Sequence, residues 1–448
     1  MSTRPPVSPR ISEAPPPVQP TRLPSGFSAF GHRNYRLFFS GQLISVTGTW
    51  MQSLAQAWLV LTLTSSALLF SLVTVLQFAP ILVLGVVAGV LADRFPKRTI
   101  LVLTQIASAA LATILTVLVI TKRVELWHVY VLALALGVVN AFDMPTRQSF
   151  VVDMVGREDL MNAIALNSSL FNVARIIGPT IAGLILATKG AAWCFGLNAV
   201  SYLAVIAGLM MMRDVPRGLA RKGSGISQIR EGLAYVGGSK PLLMPIVLVA
   251  VIAISGMNFQ VWIPLLAKRE FQVGAGGFGL LMASLGLGSL AGALYLAFSK
   301  GGPRASVMLV AAALLGVALV IVAFAAALPV HVMFALMLLP LMGFGMSTAS
   351  AMANTIVQTT SPEEMRGRVM SVYMTFFAGT GPLGSFLAGA LSSAYGTPAS
   401  MAIGGVVTLG ATAFIAYWFG AIGSRATASG NRTRTDQATP AATHSGRD

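Results

Sequence analysis

Three charged residues stand where the surrounding sequence is otherwise apolar: Asp143, Arg147 and Arg175. They fall in the stretch NAFDMPTRQSFVVDMVGREDLMNAIALNSSLFNVARIIGPTIAG, residues 140–183, in which two long apolar runs flank a short charged turn. A charge at membrane depth is costly, so such residues face a bundle interior or a cavity and mark a pathway. Asp143 and Arg147 are four positions apart, so on a helix they share a face and can pair. Helical rise puts Asp143 about 10 Å above the end of its run and Arg175 about 20 Å along the next, so a direct bond between the two does not follow. A carboxyl inside a span can load and release a proton, because burial favours its neutral form and a neighbouring guanidinium its charged form. Two readings therefore stand for Asp143: a proton or substrate-contact site, and an intrahelical ion pair that only neutralises itself. Arg175 has no obvious acidic partner in this half of the chain, which points to a substrate or a backbone carbonyl.

The rest of the chain says what must position these groups. Of 448 residues, 55% are hydrophobic and 10% charged, with a mean hydropathy of +0.77. A soluble domain carries about 25% charge, so this is a membrane protein with many spans. The net charge of +16 does not point to nucleic acid, because the basic residues lie in short loops and tails between apolar segments. Twelve segments are long enough to span a bilayer of about 30 Å: roughly 37–62, 65–91, 99–121, 126–151, 160–187, 191–212, 242–267, 275–299, 305–328, 330–354, 369–394 and 399–422. The expected organisation is a basic, disordered N-terminal segment (1–35), a six-helix bundle (36–212), a linker (213–240), a second six-helix bundle (241–422) and a disordered tail (423–448). Residues 226–235 in the linker read as a short amphipathic helix.

Lysine and arginine set the orientation. With the N-terminus inside, the inner loops hold Arg94, Lys97, Arg98, Arg157, Arg213, Arg217, Arg221, Lys222, Arg230, Lys240, Lys300, Arg304, Arg366 and Arg368. The outer loops hold Lys122, Arg123, Lys189, Lys268 and Arg269. That bias places both tails in the cytoplasm. Cys194 is the single cysteine, so no disulfide forms within one chain. Residues 1–30 contain no apolar core of a signal peptide, and the first span is expected to act as its own insertion signal.

The chain also repeats itself. SPEEMRG (361–367) stands opposite VGREDLMN (155–162), and Gly381-Pro382 near Gly178-Pro179, about 205 positions on. Two related halves, each with the same helix–turn–helix, are expected.

Two further motifs carry information. GVVAGVLADRFPKR (85–98) holds Gly85 and Gly89 four apart, a face on which a neighbouring helix can approach closely. It then places Asp93, Arg94, Lys97 and Arg98 at a helix end, where charge contacts can be made in one conformation and broken in another. ARIIGPTIAG (174–183) sets Gly178, Pro179, Ala182 and Gly183 along one helix, small residues and a proline suited to a bent, closely packed contact. Polar and aromatic residues at Gln42, Trp50, Gln52, Gln56, Gln77, Asn167, Asn172, Asn258, Gln260, Trp262, Asn354 and Gln358 are each ordinary helix–helix hydrogen-bonding residues alone. As a set they suggest a mostly apolar, polar-dotted cavity. No phosphate-binding GxxxxGK[ST] loop, HExxH, CxxC or GxSxG pattern is present, so neither an ATP-driven pump nor an enzyme is supported, and no cofactor or metal is expected.

GVLADRFPKR resembles the loop 2–3 signature of the major facilitator superfamily, with Pro96 in place of the usual glycine. The resemblance implies a conformational latch through Asp93, and Arg94, Lys97 and Arg98 beside it are the further latch candidates. A decayed copy keeps Gly288, Gly292 and Lys300 but has Leu296 where Asp93 would be. ARIIGPTIAG resembles the antiporter signature of that superfamily, with alanine at 174 and 182, and this implies export. Residues 32–66 and 124–183 resemble, more narrowly, the enterobactin-exporter-like branch of bacterial siderophore and drug exporters. That branch implies an all-α, twelve-helix secondary transporter of the bacterial cytoplasmic membrane, working as a monomer by alternating access. The expected function is proton-coupled export of a small amphipathic compound. A proton-coupled importer, and a non-transporting sensor or lipid-moving protein, are the alternatives.

Overall fold

A computed structural model describes residues 25–156, 158–213, 225–299, 302–326 and 331–435. After a 3₁₀ turn at Ser25–Gly31, the first half comprises α1 (Arg33–Leu63), α2 (Ala67–Arg94), α3 (Lys97–Ile120), α4 (Leu126–Val155), α5 (Leu160–Thr188) and α6 (Ala191–Met210). The linker carries α7 (Gly225–Gly238). The second half comprises α8 (Lys240–Ser255), α9 (Phe259–Leu265), α10 (Ala275–Phe298), α11 (Ala305–Ala325), α12 (His331–Thr360), α13 (Glu363–Gly379), α14 (Gly381–Tyr395) and α15 (Thr397–Thr435). No strand occurs among the described residues.

Eleven segments among the described residues are long and apolar enough to cross a membrane. They correspond to the expected spans from the second onward. The expected first span, α1, has 31 residues, about 46 Å of helix, but its buried face carries Ser45, Gln42, Gln52 and Gln56. It is too polar to qualify by composition, and its polar groups are buried against the rest of the bundle.

The two halves repeat one packing pattern. In the first, α2 packs on α4, α3 on α4 and α6, and α1 on α5 and α6; in the second, α10 packs on α12, α11 on α12 and α15, and α8 on α13, α14 and α15. The halves meet symmetrically, α5 against α10 and α2 against α14. Glycines set the closest crossings. A Cβ on Gly292 would lie 2.9 Å from the carbonyl of Phe344, and one on Gly137 2.9 Å from Pro80 Cγ. Of the expected Gly85–Gly89 face, the surroundings of Gly89 lie outside the described residues, and a Cβ on Gly85 would meet nothing within 4 Å. A close approach of α2 and α4 is made at Gly137.

Four boundaries depart from the sequence-based expectation. The lead-in expected to be disordered to position 35 is ordered from Ser25, because Ala29 is buried and its N–H donates to Asn162 Oδ1 at 3.0 Å. Helix α15 continues past position 422 to Thr435. The span expected at 242–267 is broken at Gly256–Asn258 and ends in a π turn, Leu266–Glu270. The span expected at 369–394 begins at Glu363 and is broken at Thr380. Each break supplies its own hydrogen bonds, as a backbone away from water requires. Asn258 Nδ2 donates to the Ile254 carbonyl at 2.7 Å, and Ser255 Oγ pairs with Thr408 Oγ1 at 2.9 Å. Thr380 Oγ1 donates to the Phe376 carbonyl at 2.6 Å, and Pro382 starts α14 where a proline needs no N–H partner. The linker helix expected at 226–235 is α7, fastened by Glu231 to Arg368 of α13 at 2.6 Å.

Candidate functional site: a cleft between the two halves

Two sides of the molecule can be told apart by the chain itself. The terminus side carries the start of α1 and the linker; the far side carries the α1–α2 and α5–α6 turns. The halves are joined on the far side. Lys268 Nζ, in the π turn of the second half, donates to the Leu61 carbonyl at 2.5 Å, and Arg269 donates to the Ser65 carbonyl. Lys268 thus meets one of the last carbonyls of α1, where a helix end is partially negative, and Arg269 holds the turn that follows it. The α5–α10 seam is set by glycine. A Cβ on Gly279 would fall 2.8 Å from the Pro179 carbonyl and 2.9 Å from Gly183 Cα, and one on Gly286 3.2 Å from the Arg175 carbonyl.

Gly178, Pro179, Ala182 and Gly183 therefore form the packing surface their sequence suggests. Pro179 and Gly183 turn to α10 and the second half. Gly178 turns to α1, where a Cβ would lie 2.9 Å from the Thr47 carbonyl. Ala174 and Ala182 are fully buried.

Between the halves lies a narrow cleft with about 50 Å³ of enclosed space. From the first half it is lined by Trp50, Ser53, Leu54, Gln56, Ala57, Val60, Phe70, Val73, Thr74 and Gln77, and from the second by Gln260, Pro264, Phe278 and Met282. Its wall is apolar and aromatic, with a few amides and hydroxyls to orient an occupant, as ligand cavities are built. Trp58, one position from Ala57, stacks on Phe278 across the halves at 6.0 Å.

The expected cavity residues divide. Trp50 and Gln56 line the cleft. Asn258 and Trp262 do not: both are buried in the second half, Asn258 at the helix break and Trp262 donating from Nε1 to Ser400 Oγ at 3.0 Å. Their polar atoms are consumed by local packing. Gln42 is buried away from the cleft and accepts from Arg147 at 2.7 Å. Gln358 sits near the terminus-side end of α12, bonded to Asn354 at 2.5 Å. Ser53, Phe70, Thr74, Phe278 and Met282 were not legible as cleft residues. Nothing in their local sequence separates a wall of this kind from ordinary helix packing.

Asp143 is buried on α4 inside the first half. Its Oδ1 accepts from Thr104 Oγ1 at 2.8 Å and Gln105 Nε2 at 2.9 Å, and its Oδ2 accepts from Arg147. Arg147 passes the contact on to Gln42 of α1. The pair expected from i,i+4 spacing is thus one part of a network joining α1, α3 and α4. Thr104 and Gln105, its other donors, were missed; an adjacent polar pair in an apolar span was the available signal. Helical rise now puts Asp143 about 18 Å from the end of α4 and Arg175 about 22 Å from the start of α5, at similar depth. They are not bonded. Arg175 lies instead over Trp50, its guanidinium carbon 5.4 Å from the ring centroid. Its Nε is buried without a hydrogen-bond partner.

Of the loop 2–3 residues, Lys97 pairs with Asp153 at 2.7 Å and Arg98 donates to the Met210 carbonyl at 2.9 Å. Both contacts stay within the first half. The side chains of Gly89, Asp93 and Arg94 lie outside the described residues, as do Arg157, Arg217, Arg221, Lys222 and Lys300. On the terminus side, His32 Nε2 meets Asp159 at 2.8 Å. Hydrogen bonds from Ser28 and His32 hold the Asp159 carboxyl below its ordinary range.

Comparison with known proteins fits this architecture. Solved structures that resemble it include a POT family transporter in complex with 5-aminolevulinic acid (TM-score 0.70, 12% identity, covering 86% of this chain and 96% of that one). Another is a bacterial homologue of the iron transporter ferroportin in an inward-facing state (TM-score 0.63, 16% identity, 85% and 98%). At such identities the likeness shows the fold. Among sequences, the chain is 30% identical over 375 residues to the multidrug efflux pump Tap of Mycolicibacterium fortuitum, covering 81% of this chain and 90% of that protein. It is 25% identical to the staphyloferrin A transporter of Staphylococcus aureus (84% and 93%) and 26% identical to the enterobactin exporter EntS of Shigella boydii (81% and 86%). The family model of transmembrane secretion effectors matches residues 24–443. With two halves of repeated packing meeting at a central cleft and a family match along nearly its whole length, this chain is a multi-pass membrane transporter of the major facilitator superfamily and belongs to its transmembrane secretion effector family.

Proposed function

We propose that this protein exports a small amphipathic organic compound, a drug or a siderophore-like metabolite, by alternating access across the bacterial cytoplasmic membrane, in exchange for protons. The observation that carries this reading is the cleft itself. It is walled by both halves, so rocking one half against the other changes which side it opens to. Its Trp50, Phe70, Phe278 and Met282 suit an apolar body, and Gln56, Gln77 and Gln260 a few polar groups. The relatives named above act on drugs and siderophores, which supports export of that kind of compound here. The basic bias of the terminus-side loops supports cytoplasmic termini, and one chain supplies the whole cleft, which supports a working monomer.

For the coupling proton, the reading takes Asp143. Among the described residues it is the carboxylate set deepest within a span, three helical turns from the end of α4. Protonating it would free Arg147 and loosen the tie between α1 and α4. The test is substrate-driven proton movement in proteoliposomes over a panel of lipophilic cations, antibiotics and catecholates. Proton flux elicited by one compound class is the expected result. Substrate movement with no proton movement would overturn antiport, and no movement of any compound with retained binding would favour a sensor.

A further inference from the structure

Arg175 is the charged group that the packing of the spans leaves unanswered. Asp143 neutralises Arg147, and Asp153 neutralises Lys97. Arg175 has no carboxylate, carbonyl or amide within hydrogen-bonding reach among the described residues, and its Nε is buried with no partner. An uncompensated cation this far along a span costs several kcal/mol, roughly, unless something pairs with it.

Its place on α5 says where that partner comes from. Ala174 and Gly178 of α5 face α1; Pro179 and Gly183 face α10. At about 100° per residue, Arg175 falls between these two faces, at the junction of the halves and opposite the lipid-facing Ile177, Leu184 and Ile181. Its guanidinium lies over the ring of Trp50, which is also a wall of the cleft. Trp50 is about 20 Å from the far end of α1 by helical rise, at the terminus-side limit of the cleft. A ring face attracts the cation without using its N–H donors, so the N–H fork remains to meet a carboxylate.

We infer that the cleft takes an organic anion, and that Arg175, held over Trp50, binds its acidic group while its apolar body lies against Phe70, Phe278 and Met282. This rests on the transporter reading and narrows its substrate class: an aryl or alkyl carboxylate or catecholate is selected over a cation of the same body. An anionic lipid headgroup offers similar chemistry, and the test separates the two.

The experiment uses the full chain in phosphatidylcholine nanodiscs and three probes with one aromatic body: 2-naphthoate, 2-naphthamide and (2-naphthylmethyl)trimethylammonium. Binding is read by quenching of tryptophan fluorescence and by isothermal titration. A charge-assisted bond predicts about tenfold or more preference for the carboxylate over the amide. Arg175→Gln should remove that preference, and Arg175→Lys should keep part of it; circular dichroism and gel filtration check that each variant is folded. Adding phosphatidylglycerol should change the carboxylate affinity less than twofold. Equal binding of all three probes, preference for the cation, an intact preference in folded Arg175→Gln, or competition by phosphatidylglycerol would each overturn the inference. Counterflow in proteoliposomes separates it from the transporter reading. Arg175-dependent carboxylate binding without movement keeps the anion site and removes transport. Movement of the cation with the carboxylate ignored does the reverse.

Discussion

At the scale of single residues, Asp143 shows how far spacing can be read. The i,i+4 relation to Arg147 is written in the sequence, and the pair forms. Its other donors, Thr104 and Gln105, are on α3, and the link from Arg147 to Gln42 runs to α1. Those partners are set by tertiary packing, which no local pattern encodes. The network also makes the obvious single variant ambiguous. Asp143→Asn leaves the half-buried Arg147 without its counter-ion, which destabilises the bundle on its own account, so a loss of transport would not tell which role Asp143 plays. The double variant Asp143→Asn/Arg147→Gln separates the roles, because both charges go together and hydrogen bonds remain. Its melting temperature should return to within a few degrees of wild type. If Asp143 carries the proton, proton-coupled flux stays absent; restored coupled flux would make the pair a structural brace.

A second residue-scale expectation concerns pH on the terminus side. Asp159 is held below its ordinary carboxylate range by hydrogen bonds from Ser28 and His32. A lowered folded-state value means that the contact contributes above the unfolded value, 3.8, and is lost as pH falls through the folded one. The group is largely solvated, so the effect is local and modest. Hydrogen exchange across residues 25–32 should quicken as pH is lowered into that range after correction for intrinsic rates, and Asp159→Asn should show the faster exchange already at neutral pH. A pH-independent protection pattern in the wild type would mean that burial of Ala29 alone holds the segment.

At the scale of elements, the sequence displays span lengths well and interruptions poorly. Glycine and proline are common in membrane helices, so Gly256 and Gly381-Pro382 carry no mark that sets them apart from Pro80 or Pro179, which lie inside continuous helices. What decides is whether a side chain is at hand to satisfy a freed carbonyl, as Asn258 is for that of Ile254. The same limit explains the cavity residues. Trp262 reads as a wall residue until its indole is found bonded to Ser400, 138 positions away. The glycine seam between α5 and α10 lends itself to a sharp test. In Gly279→Val the new side chain would press on the Pro179 carbonyl and the Gly183 backbone. Overpacking of this kind costs about 1–3 kcal/mol, and here it falls only on the far-side-closed arrangement. The variant should remain folded and in the membrane but lose the greater part of its transport rate. An unchanged rate would show that the seam yields without consequence.

At the scale of the whole molecule, the repeat seen in sequence becomes a repeat of packing, and its departures from symmetry are informative. Lys268 and Arg269 belong to a π turn in the second half; Lys268 caps the end of α1 in the first, and Arg269 holds the Ser65 carbonyl in the turn just beyond it. For the far side to open, this cap, the Trp58–Phe278 stack, the α5–α10 glycine seam and the α2–α14 contact must part together. The cap is the one built from charge. Replacing both cations, as Lys268→Met with Arg269→Gln, removes it without touching the cleft wall. A charge–helix-end contact such as that of Lys268 contributes about 0.3–1 kcal/mol at exposed sites and more where partly buried, and Arg269 adds a charge-assisted hydrogen bond, so the far-side-open population should rise several-fold. The chain's single native cysteine, Cys194, is fully buried, which leaves a clean background for labelling. A cysteine at Ser53, inside the cleft, should react with an impermeant maleimide faster from the far side in the double variant than in the parent carrying Ser53→Cys alone, and more slowly from the terminus side. Both rates must move, and in opposite directions, because one cleft exposed alternately to two sides cannot gain access at one without losing it at the other. A rise on both sides at once would describe a loosened protein in place of a shifted equilibrium.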